Sequence, residues 1–186
     1  MGSRLLLGVA AASNILVALA TVAVRGWNTG GAHAAARNTA RFSSLWLLVA
    51  FAAPGLARLI RGLPAGARLV HAFVAAHLVH FATVTALIAS FERTHLVQNP
   101  ARSAAILLIG FSLVVGAGVT ATPRWSRWYT ALHSFTIYSI FLIFFLAYAH
   151  NPVKPLRLMA VPFALAFILR LTSGWTFYTG RVKHSN

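Results

Sequence analysis

Eight histidines stand at positions 33, 71, 77, 80, 95, 133, 150 and 184 of the 186-residue chain, and they are not evenly spread. Six of them (His71, His77, His80, His95, His133 and His150) fall in or beside two apolar stretches, "ARLVHAFVAAHLVHFATV" and "RWYTALHSFTIYSIFLIFFLAYAH". An imidazole among apolar side chains is costly unless a hydrogen bond or a metal uses it. Neutral imidazole is a strong ligand for iron, copper or zinc. The alternatives are few, because the chain has no cysteine, one acidic residue (Glu92) and only two methionines, Met1 and Met159. Thiolate ligation and iron–sulfur clusters need cysteine, while carboxylate-pair catalysis and hard-cation cages need several acids, so all four are excluded. His33 and His184 are expected in a loop and in the tail.

The elements that must position these histidines are membrane helices. The chain is 59% hydrophobic and 9% charged, and apolar runs of about 20 residues recur, the length that crosses a ~30 Å hydrocarbon layer. The expected fold is all-α, a single bundle of six transmembrane helices over residues 5–24, 42–60, 69–91, 104–121, 128–149 and 156–175. Their connections are short and carry Gly, Pro and Asn, as in "GLPAGAR", "QNPARS", "ATPRWSR" and "HNPVKP". The first run is too long for the h-region of a signal peptide and reads as an uncleaved helix. The net charge of +15 comes from 16 Lys and Arg that cluster at the ends of the apolar runs. That placement reads as anchoring to the lipid bilayer and not as nucleic-acid binding. Both termini lie on one side in this topology, and that side holds nine basic residues against seven on the other, which favours cytoplasmic termini.

The third and fifth spans run in the same direction. His80 and His95 are 15 residues apart and His133 and His150 are 17 apart, or ~22 and ~25 Å along a helix. Adjacent parallel helices of this kind could clamp a flat cofactor, one imidazole from each side, and haem suits such an apolar bundle. His133 and either His77 or His80 are the expected iron ligands, with depth along the helix favouring His77. His71, His150 and His95 remain further candidates, the last two for a second haem. Arg61, Arg68, Arg124 and Arg127 could hold the haem propionates.

Three successive segments, "RFSSLWLLVAFAAPGLARLIRG", "ARLVHAFVAAHLVHFATV" and "RWYTALHSFTIYSIF", resemble the ferric-reductase-like transmembrane family. That family includes the haem-bearing membrane subunit of the bacterial periplasmic methionine sulfoxide reductase system and the membrane domains of NADPH oxidases. The resemblance covers residues 41–150. It implies a b-type cytochrome in a bacterial inner membrane, with His80 and His133 at the positions of the family's ligands. The chain departs from the family where a second histidine usually follows the first on the fifth helix. Here that stretch reads Phe-Leu-Ile-Phe-Phe-Leu-Ala, and His150 comes a turn later.

The expected function is that of an electron-transfer subunit. A partner reductase or membrane quinol would supply electrons, and a partner or small molecule on the other side would accept them. No GxGxxG loop occurs that would bind a nucleotide. The competing class is a cofactor-free scaffold or small transporter whose histidines serve packing or proton movement. Pro54, Pro162 and Arg170 are the hints toward it.

Overall fold

The computed structural model describes residues 3–57, 60, 66–92, 100–119 and 127–172, with the side chains of 3, 100–108, 119, 127–130 and 172 not included. The described residues form six helices of ten or more residues and one single-turn helix, without a strand. In chain order they are α1 (Ser3–Arg25), α2 (Thr29–Leu56), α3 (Gly66–Phe91), α4 (Pro100–Val119), α5 (Arg127–Ala149), α6 (Lys154–Arg157) and α7 (Ala160–Thr172). Four of the helices, α1, α2, α3 and most of α5, are long and apolar enough to cross a bilayer. Their outward faces carry Leu16, Leu19, Phe135 and Ile143, each more than half exposed, as lipid-facing side chains would be. The all-helical, multi-pass character expected from composition therefore holds.

Two boundaries differ from expectation. The second helix begins at Thr29 and not near residue 42, which places His33 inside it instead of in a loop. The glycine pair in "NTGGAHAAAR" suggests a loop, but Asn28 caps the helix by accepting from the Gly31 backbone N–H at 2.9 Å. The alanines that follow propagate it. The last span is broken. α6 is one turn, and α7 starts again after Leu158 and Met159. The expected continuation to residue 175 lies outside the described residues.

α2 is the hub, packing against α1, α3, α5 and α7. Its inner face is made of small residues, with Ala32, Ala35, Thr39, Ser43 and Ala50 all fully buried. Without a hydrophobic driving force in lipid, such faces associate through close backbone approach and interhelical hydrogen bonds. α4 uses the same device. A Cβ on Gly110 would meet the Phe81 ring of α3 at 2.9 Å, and one on Gly118 would meet Val74 at 3.2 Å. These contacts make α4 antiparallel to α3.

The expectation that the third and fifth helices are neighbours at the bundle centre is met only in part. α3 and α5 meet where Phe144 lies against Phe73 and His77, with ring centroids 6.5 and 5.6 Å apart. At the other end, the last turn of α4 stands between them.

Candidate functional site

The histidines of α3 and α5 divide into two groups with different partners. The first is His77 with His80, whose rings lie 4.9 Å apart. His77 is buried, 7% exposed, and its Nδ1 meets Ser43 Oγ of α2 at 2.6 Å. His80 Nδ1 meets Thr39 Oγ1, one turn along α2, at 3.2 Å.

The proton positions follow from the hydroxyls. Ser43 has one proton, and its Oγ also lies 2.8 Å from the Ala40 carbonyl, which can only accept. Ser43 therefore donates to Ala40 and accepts from His77 Nδ1–H. Thr39 is likewise bonded to the carbonyls of Ala35 and Ala36 at 2.9 and 3.0 Å, so it accepts from His80 Nδ1–H. In both rings the lone pair is left on Nε2. Fixing Nδ1–H so that Nε2 is the donor atom is how protein surroundings prepare histidine for a metal. The walls are aromatic, with Phe73, Phe81 and Phe144 centred 5.1, 5.1 and 5.6 Å from the His77 ring.

The second group is His71 with His133, and it serves the end of α4. The last carbonyls of a helix have no intrahelical donor, and in lipid water cannot supply one. His71 Nε2 donates to the Gly118 carbonyl at 2.9 Å. His133, 1% exposed, hydrogen-bonds the Ala117 backbone next door. Imidazole N–H groups therefore cap α4 from the helices on either side. His133 also lies within electrostatic range of His71 and of Arg170. Arg170 is fully buried and interacts electrostatically with the Tyr138 phenol of α5. Sequence reasoning gave Arg170 no part in the site, though a cation inside an apolar helix was the available signal.

The expected partners across one haem-sized gap, His133 and His80 or His77, are positioned by different elements, His133 by the end of α4 and the α3 pair by α2. Phe144 is the α5 residue that faces His77, and His133 lies eleven residues earlier, ~16 Å toward the other end. The remaining candidates are peripheral. His150 is exposed and its Nδ1–H donates to Leu146 O of its own helix at 3.1 Å. Arg68 is exposed at the start of α3. His95, Arg61 and Arg124 lie outside the described residues, as does the side chain of Arg127. His33 Nε2 is 2.7 Å from Glu92 Oε1, which commits the single acid of the chain to the end of the bundle where α2 starts.

The fit to haem is good in donor chemistry and poor in opposition. α3 offers two neutral imidazoles with Nε2 lone pairs inside an aromatic enclosure. α5 offers a phenyl ring opposite them and not a second imidazole. Among the described residues no group of three or more metal-ligating side chains occurs. Compared with known proteins, the chain matches no family model, no curated sequence and no solved structure.

Proposed function

We propose that the chain is a membrane electron-transfer subunit, a b-type cytochrome of six crossings whose haem is held from α3 by His77 or His80. The observation that carries this reading is the pair of Nδ1-anchored imidazoles, both with Nε2 as the lone-pair nitrogen. When bound there, haem would supply one-electron exchange at its iron. The chain's own residues would do the rest. Ser43 and Thr39 hold the ligand rings in one tautomer, and Phe73, Phe81 and Phe144 exclude water around them. The resemblance points to His80 and the geometry to His77, which is the more buried and makes the shorter hydroxyl bond. Electrons would come from a reductase or quinol and leave to an acceptor across the bilayer.

The test is a visible spectrum of the purified protein, oxidised and dithionite-reduced, with pyridine-haemochrome quantitation. About one haem per chain is expected. His77→Ala should lose it, His80→Ala should lose part of it, and His133→Ala should keep it. Loss in His133→Ala alone, in a folded protein, would return the ligand to α5. A spectrum without a Soret band would favour the cofactor-free bundle, for which the capping histidines His71 and His133 already give a structural use.

A further inference from the structure

A groove runs along the lipid side of α2 as three cavities that share residues. The first, about 390 Å³, is bounded by Asn38, Arg41, Phe42 and Leu45 of α2 with Leu156 and Met159 beyond α5. The second, about 180 Å³, shares Phe42 and Leu45 and adds Val49. The third, about 260 Å³, shares Val49 and ends at Leu56 against α7. From Arg41 to Leu56 is fifteen residues, or ~22 Å, and every α2 residue in that length of groove is apolar except Arg41 itself.

The polar end is built. Thr21 donates to Val17 O at 2.7 Å and accepts from Asn38 Nδ2 at 3.2 Å. That fixes the Asn38 amide, whose Oδ1 faces Arg41 Nη1 at 3.5 Å. A chain of contacts from α1 thus orients the guanidinium and leaves most of its N–H groups for another acceptor. The cavity at Arg41 is closed by Leu156 and Met159, which follow the end of α5 at Ala149 together with the exposed Lys154 and Arg157. Basic residues just past an apolar helix mark the headgroup level that a long side chain reaches. The nearest carboxylate the chain could offer, Glu92, is bonded to His33.

We infer that this groove binds one phospholipid of net negative charge, its phosphate on Arg41 and Asn38 and an acyl chain along Phe42, Leu45 and Val49 toward Leu56. The inference rests on the membrane reading of the fold and is independent of the cofactor proposed for α3. A zwitterionic lipid carries the same phosphate, so the preference comes from its ammonium, which the Arg41 guanidinium repels. That ammonium finds no free carboxylate, because Glu92 is bonded to His33. About a tenfold difference, or ~1.4 kcal/mol, is expected.

The experiment uses the full chain in detergent, washed free of lipid and titrated with phosphatidylglycerol, phosphatidylcholine or inorganic phosphate under native mass spectrometry. One phosphatidylglycerol per chain should be retained about tenfold more tightly than phosphatidylcholine. Arg41→Gln should abolish that preference, and Val49→Trp, which obstructs the groove, should weaken both lipids. Equal retention of the two lipids by the wild-type protein would overturn the inference, as would unchanged retention in Val49→Trp. Displacement of the lipid by inorganic phosphate would reduce the site to an anion pocket and overturn it too. If Arg41→Gln loses helix content, the wild-type headgroup comparison and Val49→Trp decide the matter. The visible spectrum serves as control, since the lipid arms can fail while the haem signal stands, and the reverse.

Discussion

His77 and Ser43 are joined by a 2.6 Å bond in which the imidazole is the donor, because the serine proton is already directed to Ala40. Ser43→Ala removes the acceptor and leaves a buried N–H without its partner, at a cost of about 1–3 kcal/mol. The expected result is a lower melting temperature together with weaker cofactor retention, and Ser43→Thr should restore both. Retention unchanged in the alanine variant would show that the tautomer of His77 does not matter to binding.

His133 is expected to matter for α4 and not for the chromophore. His133→Ala takes a donor from the Ala117 carbonyl in a region without water, and intramembrane hydrogen bonds of this kind contribute about 0.6–1.7 kcal/mol. Thermal unfolding in detergent should register that loss, and hydrogen exchange should rise in the last turn of α4. A variant with wild-type stability and exchange would remove the capping role.

Phe144→His is a gain-of-site variant. It would put a third imidazole against His77 and His80, where the phenyl ring is now centred 5.6 Å from His77. Zinc or cobalt should then bind, and at about a hundred times its dissociation constant the metal should stabilise the fold by ~2.7 kcal/mol. Failure of either metal to raise the melting temperature would mean that the Nε2 atoms do not point toward α5.

The α1–α2 turn tolerates no side chain at residue 31. A Cβ built on Gly31 falls 2.0 Å from the Gly26 carbonyl oxygen, and Gly26 itself holds a φ of 76°. Gly31→Ala must displace backbone, so a loss of about 1–3 kcal/mol or more is expected. Gly8→Ala, with nothing within 4 Å, is the matched control and should leave the melting temperature unchanged.

Much of this fold was legible as apolar run length. The ends of the first, third and fifth helices fall within a few residues of expectation, because lipid thickness dictates them and Arg or Gly marks them. The start of α2 was not legible, since glycine and alanine in "TGGAHAAAR" look like a loop until Asn28 is seen to cap them. At the candidate site, the membership of His77 and His80 followed from their spacing of three on one helix. Their partners did not, because a serine or threonine that bonds its own helix looks the same in sequence as one that faces a neighbour. The surroundings of His133 were not legible for a different reason. Equal spacing along two helices says nothing about their relative register, and here Phe144 sets it.

The burial of Arg170 against Tyr138 bears on how the protein is made. Arg170 stands in the last turn of α7, where a charge opposes insertion by less than the about 2.5–3.5 kcal/mol of a helix centre, but α7 is a short stretch in which to offset even that. Synthesis runs from the N-terminus, so α7 is the last of the described helices to leave the ribosome, after α5 has entered the bilayer. The phenol is already in place when the guanidinium arrives. Biogenesis therefore has a built-in order. A chain rearranged so that residues 160–172 are translated before residues 127–149 would present Arg170 to bare lipid, and its last helix should stall at the membrane surface.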